Sequence, residues 1–387
     1  YPRNLKNNMK LLYIANARIT TEKAHGLHIV KMCEAFSRRG AAVILVVPKR
    51  KNLITEDIFS YYGTEKNFSV RYLPVIDFVR SGFFGYWITQ ISFSWKLMTL
   101  DFDKREYTVI TRDELSGWLM AKRKFRVFYD MHGFPETWRG LWRIAMRKMS
   151  GIICTNEWKM SKSVGLFGIA KNRLLLARNG FDPAEFNQNI SKEKARSELG
   201  LPNGSPIVMY AGHLYDWKGA RVLALAAARL EGVKVIFVGG TESDIQSFTK
   251  KYGMCHNISV LGQKPHSLIP LYLKAADVLV LPNSKKSDNP RAIPYSIYDT
   301  SPIKLFEYMA SNRPIVASDL PSIREILDET TAVFFRPDDA DDLAVKISSV
   351  LSESANAEIR ANRAMEIVQE FTWDNRARRI VEFMEIL

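Results

Sequence analysis

The chain has 387 residues, 47% of them hydrophobic and 25% charged, with 55 Lys+Arg against 41 Asp+Glu. That length exceeds one ordinary core, so two domains are expected, and the balance is globular rather than disordered or collagen-like. Cys33, Cys154 and Cys255 lie far apart with no CxxC pair, which argues against a disulfide framework or zinc site and for a reducing compartment.

The charge is unevenly placed. Residues 1–180 carry 31 Lys+Arg against 14 Asp+Glu, whereas residues 181–387 carry 24 against 27. A basic half of this kind can serve nucleic acid, an anionic membrane surface, an acidic acceptor, or only solubility. The first ten residues are polar and show no secretory pattern. The most apolar stretch, Ser81 to Trp95, is too short and too interrupted by Ser, Thr and Gln for a spanning helix, so none is expected.

In chain order, Lys10 to Ala15 reads as a strand, residues 16–26 as a loop, Leu27 to Arg39 as a helix closed by Gly40, and Ala41 to Val47 as the next strand. This is a βαβ unit, and Gly26 stands where a backbone could approach a ligand, although a plain turn explains it as well. Ser69 to Leu73 is a short strand. Residues 81–98 are rich in aromatics and read either as a core helix or as an exposed face that docks on a bilayer. Tyr107 to Thr111, Arg126 to Asp130 and Ser150 to Thr155 are further strands, the second running into His132 and Gly133 at its carboxyl end, where open α/β sheets keep ligand residues. The turn-rich run Asn179 to Pro183 reads as a linker.

The second half repeats the alternation. Pro206 to Ala211 is a strand, residues 212–219 a loop, Ala220 to Leu230 a helix, and Val233 to Val238 a strand ending at two glycines. Asn257 to Leu261, Leu268 to Ala276 and Val278 to Leu281 read as strand, helix and strand, followed by a polar loop over 283–298. Trp373 to Leu387 is an amphipathic helix. Alternating strands and helices in both halves give an α/β fold of two doubly wound, Rossmann-like domains. No GxxxxGK[ST] and no GxGxxG occurs, which disfavours a P-loop NTPase or a nicotinamide enzyme.

The stretch from Asp299 to Pro314 carries the most chemistry. Ser301 reads as the N-cap of a helix, Pro302 as its first residue, Asn312 as its left-handed close, and Pro314 as the stop. A helix N-terminus with Lys304 in its first turn suits a phosphate. Asp299 before it and Glu307 a turn inside it suit hydroxyls on either side of a diphosphate, as in a nucleotide sugar. An ordinary surface helix remains the other reading of this stretch alone.

In these residues the chain resembles retaining GT-B glycosyltransferases of the group 1 (GT4) type. The motifs are Asp299 and Glu307 with seven residues between them, the continuation through Leu327, and residues 210–219, 275–283, 178–182 and 130–135, all in the family's order. The resemblance implies a GT-B fold in which two Rossmann-like domains face across a cleft. Residues 1–180 would bind the acceptor and 181–370 the nucleotide sugar, with 371–387 crossing back to the first domain. By the same resemblance, Asp299, His132 and Lys218 form the catalytic set, with Asp299 at the transferred sugar and His132 touching it. Glu307 holds the ribose, and the amides of Ser301, Pro302 and Ile303 with Lys304, Lys218, Gly212 and His213 bind the diphosphate. Gln263 and Lys264 line the base, and Gly26 lies beside the phosphates. The chain departs from the family in having Asp299 where Glu is commoner, Thr300-Ser301-Pro302 for Gly-Phe-Gly, and His213 where many members carry Arg.

The expected function is transfer of a hexosyl group from a UDP- or GDP-linked sugar to a glycan or lipid-linked acceptor in polysaccharide or glycolipid synthesis. No metal and no cofactor is expected, and no nucleic acid. Location is expected in the cytoplasm, with peripheral contact to an anionic leaflet. A synthase acting on a soluble sugar or sugar phosphate is the near alternative, and a basic nucleic-acid-binding protein the distant one. Asp101-Phe102-Asp103 has the spacing of metal-dependent transferases but reads as accidental. His25 and His28 read as structural or merely exposed.

Overall fold

The computed structural model describes residues 9–187, 189–253 and 255–387. The polar opening of the chain lies almost wholly outside them. The chain divides into two compact units, residues 1–178 with 373–387, and residues 179–372.

The first unit is a seven-stranded sheet. Its strands are β1 (Lys10–Ile14), β2 (Ala42–Lys49), β3 (Ser69–Pro74), β4 (Tyr107–Thr111), β5 (Arg126–Met131), β6 (Gly151–Cys154) and β7 (Leu174–Leu176). All pairs are parallel, in the order β3-β2-β1-β4-β5-β6-β7. Parallel strands covered on both faces need apolar side chains on both, and Leu11 to Ile14 are fully buried accordingly. One face packs Leu12, Ile14, Val109 and Val127 against Phe93, Met120 and Phe167 from the covering helices. The helix Trp373–Ile386 belongs to this unit and lies on the helix Ala24–Arg38, with Phe383 edge-on to Phe128 at 5.8 Å.

The second unit has six parallel strands, β8 (Ile207–Ala211), β9 (Lys234–Val238), β10 (Ile258–Val260), β11 (Val278–Leu281), β12 (Ile315–Ser318) and β13 (Val333–Phe335), in the order β10-β9-β8-β11-β12-β13. Alternation along β8 sends Ile207, Met209 and Ala211 into one core and Val208 and Tyr210 into another. The fold class expected from the sequence, two doubly wound parallel sheets, is the one found. In each unit the strand order reverses beside the first strand, between β1 and β4 and between β8 and β11, and ligands of such sheets bind at the carboxyl ends there.

Three local expectations are corrected. The first helix begins at Ala24, not Leu27, with the extended Lys23 as its N-cap and Gly26 within its first turn. The stretch 283–298 is not all loop. Residues Ala292–Pro294 form a helical turn, and Tyr295–Asp299 a π-turn held by Ser296 Oγ donating to the Trp217 carbonyl at 3.1 Å. The aromatic helix Gly82–Met98 is neither wholly core nor wholly free. Phe93 and Leu97 are buried, while Phe83, Phe84, Ile91 and Trp95 stand in solvent.

Candidate active site

In the second unit the site grows from four loops at the carboxyl ends of the strands. Gly212, directly after β8, has φ +139°, and Gly239, after β9, has φ +120°. A Cβ on Gly239 would stand 2.5 Å from the Gly212 carbonyl oxygen, so the two loops pass one another only because Gly239 lacks a side chain. Gly219, at φ +71°, closes the turn after Lys218. A Cβ there would stand 1.7 Å from the Pro282 carbonyl, which ties the Lys218 loop to the end of β11. Trp217 packs edge-on against Tyr295 at 5.2 Å, and Ser284 donates its amide to the Trp217 carbonyl at 2.9 Å. These contacts join the loop carrying Lys218 to the turn that ends at Asp299.

The helix Ile303–Ala310 starts one residue later than the sequence suggests. Pro302 is its N-cap, in an extended conformation, and no side chain caps it, so the Ser301 hydroxyl does not do what was expected of it. Pro302 also has no N–H, so the donors of this terminus are the amides of Ile303 and Lys304 rather than a run from Ser301. Leu305 already returns its amide to the Pro302 carbonyl at 3.1 Å. Asn179 fixes the approach by donating Nδ2 to the Ser301 carbonyl at 2.6 Å. Asn312 has φ 54° and closes the helix in the left-handed region, as read from the sequence.

Lys304 is buried beside this terminus. Its ammonium lies 3.9 Å from the centre of the Tyr210 ring, and a Cβ on Gly212 would be 3.2 Å from it. Among the described residues it makes no hydrogen bond. Burial first, then the Lys218 charge, hold its pKa well below the ordinary lysine value, against the smaller pull of Glu307. Lys218 is half-buried, and desolvation lowers its pKa to about 8. Two lysines that repel one another at an uncapped helix start form a site suited to a multiply charged anion.

Glu307 is buried, and His266 Nε2 lies 2.9 Å from its Oε1, with Glu185 3.5 Å from the other ring nitrogen. Sequence reasoning missed His266 and Glu185, although His266 stands two residues after the expected base-lining Lys264. Gln263 is exposed and Lys264 half-buried in the loop after β10. His213 is half-buried and stacks on Tyr215 at 4.9 Å, and Asp299 is buried at the end of its π-turn. The second unit therefore brings together Gly212, Lys218, Lys304 and Glu307, with Asp299 tied to them through Trp217 and Tyr295.

His132 and Gly26 lie in the first unit. His132 Nε2 is 3.1 Å from Asp130 Oδ2, and Asp130 Oδ1 accepts from Arg376 at 2.6 Å. Desolvation and the charge of Arg112 lower the His132 pKa to about 3, while Arg376 and His132 overcome burial to hold Asp130 well below the usual range. His132 is therefore a neutral imidazole at any working pH. A carboxylate that can only accept favours the proton on Nε2 and leaves Nδ1 as an acceptor. His28, fully buried, packs edge-on to His132 at 4.1 Å, which agrees with its structural reading. His28, Asp130 and His132 put three metal-type ligand atoms within 4.8 Å of one another, but Arg376 already neutralises the one carboxylate among them. Gly26 is explained differently from expectation. A Cβ there would meet the Tyr62 hydroxyl at 2.2 Å, and that hydroxyl both accepts from the Thr21 amide and donates to the Thr21 carbonyl at 2.8 Å. The glycine makes room for a structural tyrosine. Asp103 accepts from the Arg105 amide at 2.9 Å in an exposed turn.

Residues 191–366 match the family described as glycosyl transferases group 1. An uncharacterized glycosyltransferase of Methanocaldococcus jannaschii is 25% identical over 245 residues, covering 61% of this chain and 60% of that protein. The D-inositol 3-phosphate glycosyltransferase of Nocardia farcinica is 26% identical over 234 residues, covering 57% of this chain and 49% of the relative. The matched stretch thus spans one half to three fifths of these relatives. The crystal structure of Anabaena HepE in complex with UDP and glucose superposes with a TM-score of 0.74 at 18% identity, covering 98% of this chain and 100% of that one, a likeness of fold.

Proposed function

We propose, for a chain whose residues 191–366 belong to glycosyl transferases group 1, that it is a retaining glycosyltransferase moving a hexosyl group from a UDP- or GDP-linked sugar to an acceptor hydroxyl. The observation that carries this reading is Lys304, a buried ammonium with no hydrogen bond among the described residues, beside Lys218 and the uncapped start of the helix Ile303–Ala310. The lysines and the amides of Ile303 and Lys304 take the diphosphate. Glu307, held by His266, takes the ribose hydroxyls, and Gln263 and Lys264 line the base. Asp299 meets the transferred sugar, and His132, staying neutral, accepts a hydrogen bond from a sugar hydroxyl at Nδ1.

In the transfer, the acceptor oxygen bonds to the anomeric carbon while the bond from that carbon to the diphosphate oxygen breaks. The electron pair goes to the leaving diphosphate, which also takes the acceptor proton. The protein's contribution is preorganised positive charge where negative charge develops, so the step requires neither a covalent intermediate nor a metal. The test is release of UDP or GDP from nucleotide hexoses over an acceptor panel. Glu307→Ala and Lys218→Ala should each lower turnover by about 10²-fold or more with the fold retained, and undiminished turnover in both would end this reading.

The acceptor side includes peripheral contact with an anionic membrane. No helix among the described residues is long and apolar enough to cross one. The aromatic helix Gly82–Met98 meets the start of the helix Arg139–Lys148, where half-buried Trp87 and exposed Trp138 lie 5.4 Å apart. Trp138, Leu141 and Ile144 stand in solvent there beside Arg139, Arg143 and Arg147. Aromatic and cationic side chains side by side suit an interfacial surface. Co-sedimentation with anionic but not neutral vesicles is expected, and Phe83→Ser with Phe84→Ser should abolish it.

A further inference from the structure

The first unit contains a cavity of about 520 Å³, within the range of roughly 300–1,000 Å³ usual for small-molecule sites. Its walls come from the segments that leave the carboxyl ends of four adjacent strands. Asn16 follows β1, Arg50 and Lys51 follow β2, Asp77 follows β3, and Arg112 and Asp113 follow β4. It therefore occupies the point where the strand order reverses.

Its lining carries more cationic than anionic side chains. Arg18, Lys23, Arg50, Lys51 and Arg112 line it. The three carboxylates that also line it are already engaged. Glu22 pairs with Arg18 at 3.1 Å, Asp77 accepts the Lys51 amide at 3.0 Å, and Asp113 caps its helix through the Ser116 amide at 2.7 Å. Among the described residues, Lys23, Arg50, Lys51 and Arg112 form no ion pair. Arg50 donates Nη2 to Asn16 Oδ1 at 2.5 Å, which aims the guanidinium, while its Nε is buried and makes no hydrogen bond among the described residues. Arg112 is steadied by the His25 carbonyl at 3.2 Å. The helix Ala24–Arg38 starts at this wall with no side-chain cap and no acid in its first turn, so its positive end adds to the field.

We propose that this cavity binds the acceptor through a phosphate ester carried by the acceptor, gripped by Arg50 and Arg112 with Lys51 and Lys23 at the mouth. The proposal rests on the glycosyltransferase reading above and names the chemical class of its second substrate. Guanidinium forks match phosphate geometry, and partial burial strengthens each charge-assisted bond. Such a phosphate has two sources, a soluble sugar phosphate or the head of a lipid-linked sugar, and the structure favours the shared chemistry.

The test uses the full chain saturated with UDP, so that the phosphate site of the second unit is filled. Glucose 6-phosphate, glucose and a short-chain isoprenyl pyrophosphate are titrated calorimetrically. At least one phosphorylated probe should bind about tenfold or more tightly than glucose, and Arg50→Met should remove about that factor. Lys51→Glu, at an exposed position that leaves packing intact, should weaken it in the same direction, with UDP affinity unchanged in both variants. Preference for the soluble or the lipid-like probe identifies the source. Equal binding of glucose and both phosphorylated probes, or phosphate binding indifferent to both substitutions, would overturn the proposal. Absence of UDP binding in the unsubstituted protein would instead sink the donor reading, a separate observable.

Discussion

Lys218 and Lys304 give the donor site a pH response of definite sign. The Lys218 pKa is lowered to about 8, so the ammonium that a diphosphate needs is present below that pH and is lost above it in the free protein. Diphosphate binding restores the proton. Above pH 8 the loss of the Lys218 charge should therefore lower UDP affinity by up to about tenfold per pH unit, read by calorimetry between pH 8 and 9 with proton uptake on binding. Lys304 makes a sharper distinction. Its folded pKa lies well below the unfolded one, so its charge opposes folding at neutral pH and the penalty fades as pH rises towards the ordinary lysine value. Lys304→Met should raise the melting temperature at pH 7 while lowering UDP affinity. A merely structural lysine would lower the melting temperature and leave affinity alone. His132, neutral because its pKa is about 3, should contribute no inflection to the pH–rate profile between pH 5 and 9, whereas His132→Ala should lower kcat with the fold intact.

At the level of elements, a buried ion pair adds to the packing that holds the C-terminal helix in the first unit. Arg376 and Asp130 are both buried and 2.6 Å apart, and Arg376 also donates to the Ala177 carbonyl at 3.3 Å. Arg376→Met strands the Asp130 charge and should cost about 3–5 kcal/mol in denaturant unfolding of that unit. Glu114 behaves in the opposite sense. Burial, then the neighbouring Asp113, raises its pKa to about 7, against the Tyr129 hydroxyl that donates to it at 2.7 Å. Its ionisation therefore opposes folding increasingly as pH rises from the unfolded carboxylate value to 7. Glu114→Gln should stabilise by about 2 kcal/mol at pH 8, allowing for partial exposure, and by nothing measurable at pH 4. The elements themselves were largely legible in the sequence, because a buried parallel strand such as Leu11 to Ile14 is apolar throughout and a helix such as Ala24–Arg38 keeps its period. Ends were less so. Ser301 has the chemistry of a cap, but the extended Pro302 behind it takes that position, and only coordinates show that choice.

Over the whole chain, part of the basic surplus of the first 180 residues stands in two places, the cavity around Arg50 and Arg112 and the arginines beside Trp138. Composition showed the surplus and could not divide it, because cavity walls are assembled from segments as distant as Asn16 and Arg112. For the same reason His266 went unnoticed beside Glu307, and Gly26 was read as a ligand approach when Tyr62, 36 residues on, fills the space. The acid pair of Asp299 and Glu307, by contrast, lies on one short stretch, so its place at a helix start could be read from Pro302, Asn312 and Pro314, which bound that helix.

The most direct measurement is calorimetric titration of UDP and GDP into the intact chain and into Lys304→Met and Glu307→Ala. One nucleotide should bind with unit stoichiometry, and each substitution should weaken it by about tenfold or more while circular dichroism stays unchanged. Binding of neither nucleotide, or equal affinity in all three proteins, would contradict a diphosphate grip at the start of the helix Ile303–Ala310.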